Sequence, residues 1–387
     1  MSATASRPLF LPTRDGALRR HEPKPSRVFN RPDGQLTSRV LFAAAHVVAD
    51  PLADPWAIDW DQTLAYRYEL WSRGLGVAEA MDTAQRGGAT VGWEAARELI
   101  RRSASAARPG LDRLACGVGT DQLAHDRSWS IAQIGDAYEE QCAFVDDCGV
   151  QPIVMASRVL ARSARTVEDY VGVYDRILGQ VRSPAIIHWL GPMFDPQLDG
   201  YWGAKDVEAA LDVVVEIIRR HAERVDGIKL SLLDADLEIE LRRRLPDGVR
   251  MYTGDDFNYP SLIEGDGDRA SDALLGIFDA IAPAASAATQ ALDRADPVGF
   301  RDVLEPTVPL ARHIFSAPTA NYKAGVVFLA YLNGHQDHFK LVDGLESSRS
   351  IVHLAELFAL ADDAGLLADA ERAGSRMREA LAVAGIR

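Results

Sequence analysis

The chain has 387 residues, 47% hydrophobic and 25% charged, so it can bury a full core and is neither disordered nor fibrous. Its 42 Lys and Arg against 56 Asp and Glu give a net charge of −14, which excludes nucleic acid and anionic membrane surfaces as expected partners. The sequence shows neither a bilayer-length apolar run nor a secretory signal, and we therefore expect a cytoplasmic protein.

The predicted elements begin with an N-terminal extension at residues 1–38, which is rich in Pro, Arg and Asp and is expected to form one hairpin. Short apolar runs typical of strands then alternate with helical patterns, whose starts are capped by residues such as Asp59 and Thr166. We count eight such runs, which begin at Arg39, Gly76, Arg113, Pro152, Pro184, Asp226, Val249 and Leu274.

Strict alternation of apolar strands and helices favours a parallel sheet covered on both faces. Eight strands predict an α/β fold of the (β/α)8 TIM barrel type, which we place at residues 39–290. No Gly-x-Gly-x-x-Gly follows the first strand, so a doubly wound sheet is disfavoured. The strand pattern stops after Pro283, and residues 291–387 are predicted to form a C-terminal helical block.

Chemistry in TIM barrels takes place at the C-terminal ends of the strands, so polar residues there are the candidates for function. In chain order these are His46, Glu79, Asp82, Thr83, Thr120, Asp121, Ser157, His188, Trp189, Lys229, Ser231, Asp255, Asp256 and Asp279, the last of which is predicted to lie within the eighth strand.

Lys229 stands out because it places an ammonium in an otherwise apolar strand. Desolvation there favours the neutral amine, which can attack a carbonyl and form a Schiff base; the alternative is a lysine that snorkels outward or pairs with a core aspartate. His188 is either a proton shuttle or an interior histidine bonded to a backbone carbonyl. Asp255 and Asp256 either bind sugar hydroxyls or a cation, or cap the next helix.

Two histidines in the helical block, His335 and His338, resemble a pair of metal ligands. The pair lacks the helical spacing and the catalytic Glu of a zinc motif, so we interpret it as structural or as an oligomer contact. No metal and no cofactor is predicted.

The order of these motifs resembles the family of dihydrodipicolinate synthase and N-acetylneuraminate lyase, class I aldolases on a (β/α)8 barrel with a helical C-terminal extension. The segment around Asp50-Pro51 and Ile58-Asp59 is similar to the family's opening strand and turn. Gly227-Ile228-Lys229 is similar to its Gly-Ile-Lys, which implies that Lys229 forms the Schiff base. Thr253-Gly254-Asp255-Asp256 is similar to the segment that holds the hydroxylated substrate tail. More closely, the chain resembles a branch of this superfamily classified as a domain of unknown function.

Two departures from the family's pattern bear on the substrate. Met81-Asp82-Thr83-Ala84-Gln85 stands where the family binds a pyruvate carboxylate, and Asp82 would repel that group. His188-Trp189 replaces a Tyr-Asn pair whose phenol relays a proton, and the arginine that follows it in the synthases is missing. Dihydrodipicolinate synthesis is therefore not expected.

The sequence predicts a lyase that forms a Schiff base between Lys229 and a polar, carbohydrate-derived keto substrate, with His188 as the acid/base. The predicted substrate-binding residues are His46, Glu79, Asp82, Thr83, Trp189, Ser231, Asp255 and Asp256. The alternatives are a metal-dependent sugar isomerase or epimerase, with His46, Glu79, His188 and Asp255 as ligands, and a non-catalytic ligand-binding barrel. A homo-oligomer, dimer or tetramer, is expected because the apolar stretch 325–332 would be buried at a subunit interface.

Overall fold

The computed structural model describes residues 8–124, 126–204 and 206–386, so residues 1–7 of the expected N-terminal extension lie outside the described residues. The chain divides into two compact units. One contains the described parts of residues 1–38, 46–74 and 277–387, and the other contains residues 39–45 and 75–276. The boundaries after residues 38 and 290 stay predictions.

The elements alternate along most of the chain, with the helices following the strands. The strands are β1 (Leu9–Pro12), β2 (Leu18–His21), β3 (Leu41–Ala44), β4 (Gly76–Glu79), β5 (Leu114–Val118), β6 (Gln151–Met155), β7 (Ala185–Leu190), β8 (Val225–Ser231), β9 (Arg250–Thr253) and β10 (Asp272–Leu275). The helices are α1 (Trp60–Ser72), α2 (Trp93–Ala106), α3 (Ile131–Asp147), α4 (Arg158–Ser163), α5 (Val167–Gln180), α6 (Val207–Arg220), α7 (Ala235–Arg244), α8 (Tyr259–Glu264), α9 (Ile277–Asp293), α10 (Pro297–Leu304), α11 (Val308–Ile314), α12 (Tyr322–Asn333), α13 (Ile351–Asp363) and α14 (Ala370–Val383).

Strands β3 to β10 close into one parallel barrel, in which consecutive strands are neighbours and β10 pairs with β3. The predicted (β/α)8 TIM barrel is confirmed. The strands are apolar on both faces because one face fills the barrel and the other faces the helix layer. Alternate residues fill the barrel interior, and they include Phe42, Ala78, Ala115, Ile153, Ile186, Tyr252 and Leu274.

The strand register carries the candidate site residues into this interior. His188 on β7 pairs with Lys229 on β8, and Lys229 pairs in turn with Tyr252 on β9. Residues in register across a sheet share a face, and Tyr252 belongs to the interior cluster. The side chains of His188 and Lys229 therefore point into the barrel.

The eighth predicted strand is only partly correct. The run from Leu274 to Ile281 contains both the end of β10 at Leu275 and the start of α9 at Ile277. Asp279 is therefore on a helix and not in a strand. Periodicity cannot separate a buried strand from a buried helix in a short apolar run, and Gly276 was the only break in it.

The other unit combines the predicted N-terminal hairpin, in which β1 pairs antiparallel with β2, with the helical C-terminal block. Its central helix is α12, where residues 322–332 are all buried. Helices α9, α11, α13 and α14 of the same unit pack against it. The apolar stretch 325–332 is therefore covered within its own unit and does not need a second subunit to bury it. The homo-oligomer stays a prediction, which light scattering can test.

None of the described helices is long and apolar enough to span a membrane.

Candidate active site

The turn after β4 is held in a strained conformation beside the barrel mouth. Ala80 and Gln85 both have positive φ angles, of 54° and 60°, on either side of the short 3₁₀ turn Asp82–Ala84. Non-glycine residues adopt this region at a cost of order 1–2 kcal/mol each. The Arg86 guanidinium offsets that cost by donating to Ala80 O at 3.2 Å and to Gly117 O at 2.5 Å. The result is a fixed position for Asp82.

Lys229 lies on β8 with only 8% of its surface exposed. Space for its side chain comes from Gly254, directly after β9. A Cβ atom at position 254 would lie 2.9 Å from Lys229 Cε and 2.2 Å from Ser231 Oγ. The glycine of the Thr253-Gly254-Asp255-Asp256 segment therefore makes room for the lysine.

The charge state of Lys229 is set by its surroundings. Burial lowers the pKa of Lys229 to about 8, and the negative charges of Asp256 and Asp82 act against that lowering. At pH 7, an amine with this pKa is neutral in roughly one molecule in ten, compared with fewer than about one in a thousand at the ordinary lysine value. The neutral form is the one in which an amine can attack a carbonyl.

His188 lies beside Lys229 with its imidazole buried. Its Nε2 atom is 3.2 Å from Ser231 Oγ, so its partner is a serine and not the backbone carbonyl considered as an alternative. Burial, and secondarily the charge of Lys229, holds the pKa of His188 well below its usual value. The ring is therefore neutral near pH 7 and can accept a proton.

A cavity of about 110 Å³ opens beside these residues within the barrel unit. Two of the neighbours of Lys229, Asp82 and His188, line it. Two hydroxyl-bearing residues also line it, and Thr120 Oγ1 is 2.6 Å from Ser157 Oγ. Polar groups that converge on a cavity next to residues with perturbed pKa values are typical of an active site.

Two arginines in this cavity, Arg86 and Arg158, were missed from the sequence. Arg158 follows Ser157 directly after β6, and Arg86 lies three residues beyond Thr83. Both lie just beyond the strand-end positions predicted to carry function. A wider window after each strand would have found them.

The structure brings Lys229, His188, Ser231, Asp82 and Asp256 together, but it places other predicted site residues elsewhere. The Glu79 carboxylate accepts from Ser103 Oγ on α2 at 2.7 Å, and Trp189 packs against Trp202 at 5.9 Å between ring centroids. Both follow a residue that faces the barrel interior, so alternation turns them to the helix side.

Asp255 and Thr83 are likewise engaged in local structure. Asp255 Oδ1 accepts the backbone N–H groups of Phe257 and Asn258 at 2.8 and 3.0 Å, so this carboxylate closes the turn between β9 and α8. Thr83 is buried in the 3₁₀ turn.

His46 belongs to the helical unit, where both its ring nitrogens have partners. Its Nδ1 is 2.9 Å from both oxygens of Asp279, and its Nε2 is 3.2 Å from Gln336 Oε1. His335 lies against Tyr66 in the same unit, at 5.1 Å between ring centroids. The described residues contain no group of three or more His, Cys, Asp or Glu side chains arranged to hold a metal ion.

The closed (β/α)8 barrel has a class I aldolase-like fold. Solved structures share this fold. A dihydrodipicolinate synthase from Oceanobacillus iheyensis is 16% identical, with a TM-score of 0.62, and the match covers 83% of this chain and 95% of that one. A monomeric dihydrodipicolinate synthase variant is 14% identical, with a TM-score of 0.66 and coverage of 86% and 99%. The synthase from Aquifex aeolicus is 13% identical, with a TM-score of 0.60 and coverage of 90% and 98%.

The family model described as "Protein of unknown function (DUF993)" matches residues 9–386, and the chain belongs to that family. No curated protein matches the sequence.

Proposed function

We propose that this protein is a lyase of the class I aldolase type, which forms an imine between Lys229 and the carbonyl of a polar, carbohydrate-derived keto substrate. The observation that carries the proposal is the lysine itself. Its amine lies inside the barrel with a pKa of about 8, beside a neutral histidine and a cavity. A lysine that only snorkels outward would keep an exposed head group and an ordinary pKa.

In the proposed reaction, the neutral Nζ of Lys229 attacks the carbonyl carbon, and the C=O π electrons move to the oxygen. The oxygen leaves as water, so the net change from the lysine ammonium and the ketone is a protonated imine plus water. His188 then removes the proton of a hydroxyl group on the carbon β to the imine carbon. The C–C bond between the α and β carbons breaks, an aldehyde leaves, and the electron pair passes to the imine as an enamine. Protonation and hydrolysis regenerate Lys229.

The charges near Lys229 support a hydroxylated substrate at this end of the site. Asp82 and Asp256 both interact electrostatically with the lysine, and His188 is neutral. A carboxylate bonded directly to the reacting carbonyl, as in pyruvate, would meet two negative charges there. Hydroxyl groups can instead donate hydrogen bonds to the aspartates.

The test is reductive trapping with borohydride, using hydroxylated ketones such as dihydroxyacetone and fructose, with pyruvate for comparison. We expect a mass increase on the peptide that contains Lys229 with the hydroxylated ketones. Lys229→Met should abolish it. Lys323→Met is the matched control, because Lys323 is also 8% exposed and its Nζ donates to Ala320 O at 3.2 Å. Absence of a Lys229 adduct across the panel would refute the imine.

The metal-dependent isomerase finds less support in the geometry. Three of its four predicted ligands are engaged elsewhere. Glu79 bonds to Ser103, Asp255 bonds to the backbone of the turn after β9, and His46 bonds to Asp279 and Gln336. A non-catalytic barrel would need no neutral amine beside a neutral imidazole. Trapping and turnover assays separate that possibility from the lyase.

A further inference from the structure

We propose that Arg158 recognises an oxyanion, a carboxylate or a phosphate, at the end of the substrate remote from the imine. The inference deepens the proposed function, on which its placement of the reacting carbonyl rests. It starts from a contrast between the two arginines that line the cavity.

Arg86 is fully used by the protein. Its five N–H donors bond to both oxygens of Asp121, to Gln141 Oε1 and to the carbonyls of Ala80 and Gly117. Its side chain is 3% exposed. Because a guanidinium has five donors in a fixed fork, none is left for a ligand. Arg86 is therefore a structural residue of the loop after β4.

The guanidinium of Arg158 is bonded to the protein through its Nε atom. Its Nε donates to Asp195 Oδ2, and among the described residues this is the one hydrogen bond that its side chain makes. The side chain is 39% exposed. A Cβ atom at Gly87, also a cavity residue, would lie 3.8 Å from Arg158 Nη1. Nη1 thus lies beside a cavity residue, and among the described residues neither Nη1 nor Nη2 donates a hydrogen bond to the protein.

Asp195 orients Arg158 by accepting from Nε, and this bond does not use the donors on Nη1 and Nη2. Its second oxygen, Oδ1, accepts the backbone N–H of Gln197 at 3.1 Å, which fixes the carboxylate at the start of a short turn. With Nε held, Nη1 and Nη2 form a planar pair of donors that matches two oxygens of one carboxylate or phosphate. A neutral hydroxyl would use only one of them.

Two residues that line the cavity therefore differ in the ligand groups that they favour. Asp82, which interacts with Lys229, repels an anion, whereas Arg158 offers a cation with donors that the described residues do not fill. A substrate that fits both has hydroxyl groups near its carbonyl and an oxyanion at its far end. Phosphorylated ketoses and keto acids with a distant carboxylate share this chemistry.

The experiment compares matched probes in the trapping assay. Dihydroxyacetone phosphate is paired with dihydroxyacetone, and levulinate is paired with 5-hydroxy-2-pentanone, so that the two pairs separate phosphate from carboxylate. For at least one pair we expect the anion to reach half-saturation at a concentration about 10-fold lower, as expected for charge-assisted hydrogen bonds. Arg158→Gln should remove this advantage and leave the neutral probes unchanged. Arg158→Lys, which keeps the charge and loses the fork, should retain only part of it.

Arg165→Gln is the matched control, since it removes the same charge from an exposed position just beyond α4. It should leave both pairs unaffected. Equal half-saturation of anionic and neutral probes in the unmodified protein, or an equal effect of Arg158→Gln on both, would overturn the proposal.

A second readout does not depend on imine formation. Calorimetric titration of dihydroxyacetone phosphate and levulinate into Lys229→Met, with and without Arg158→Gln, measures the oxyanion site alone. Arg158-dependent binding without trapping in the unmodified protein would refute the imine and keep this inference. Trapping without Arg158-dependent binding would do the reverse.

Discussion

The buried ionisable residues around Lys229 and those around His46 both include a histidine and an aspartate, yet the two groups differ in how their polar atoms are used. In the barrel unit, Lys229 and His188 have pKa values displaced by burial and lie beside a cavity. In the helical unit, His46 bonds through one nitrogen to Asp279 and through the other to Gln336. Saturated hydrogen bonding indicates a structural role, whereas displaced pKa values beside a cavity indicate chemistry.

The largest expected effect is that of His188→Ala on turnover. Loss of a general acid/base typically costs about 10²- to 10⁴-fold in rate, and we expect a loss in that range. The Lys229 imine should still be trapped by borohydride, because the variant keeps the amine. Turnover close to that of the unmodified protein would remove His188 from the mechanism.

His46→Ala tests the structural role of the buried group in the helical unit. It leaves the buried Asp279 carboxylate without its imidazole partner and should lower the free energy of unfolding by about 2–4 kcal/mol. Denaturant titration measures this loss. At a temperature where the variant is folded, Lys229 trapping should match that of the unmodified protein. A stable variant that fails to trap would show that His46 acts in the chemistry.

The third expected effect is a pH dependence of trapping. With a pKa of about 8 for Lys229, the neutral fraction rises roughly 10-fold between pH 7 and pH 9, and the initial trapping rate should follow it. Asp82→Asn should move the midpoint to lower pH, because the charge of Asp82 raises the pKa of Lys229. Mass spectrometry of timed samples gives the rates. A profile that still rises steeply near pH 10 would indicate an ordinary lysine.

The smallest expected effect is that of Ser231→Ala. The substitution removes the hydroxyl that lies 3.2 Å from His188 Nε2 and should lower turnover by about 2- to 10-fold, the usual range for one hydrogen bond. Ser103→Ala is the control, since it deletes an equally buried hydroxyl that bonds to Glu79. It should lower stability and leave turnover unchanged. Equal turnover losses in the two variants would contradict our separation of Glu79 from the site.

The sequence predicted the barrel because each strand is an apolar run bounded by turn residues, and it predicted Lys229 because one cation interrupts such a run. Glu79 and Trp189 lie at strand ends, which is why they were predicted as site residues. Strand alternation, however, sends their neighbours Ala78 and His188 inward and turns these two side chains toward the helices. That correction was available from the sequence.

Other features depend on distant parts of the chain. His46 bonds to Asp279, which lies 233 positions away in the sequence, and no local pattern predicts that pairing. Arg86 and Arg158 look alike in the sequence. Only the folded chain shows that, among the described residues, the side chain of Arg86 makes five hydrogen bonds and that of Arg158 makes one. Hydrogen-bond saturation is a property of tertiary structure and cannot be derived from residue type.

Gly254 restricts how this barrel can be re-engineered. Any side chain there would meet Ser231 Oγ at 2.2 Å and the backbone oxygen of Leu230 at 2.6 Å, and the latter cannot rotate away. A mutant library that randomises position 254 would therefore consist mostly of damaged clones. Diversity is better introduced at Thr120 and Arg158, where side chains already face the cavity and new substrate preferences can be selected without moving β8.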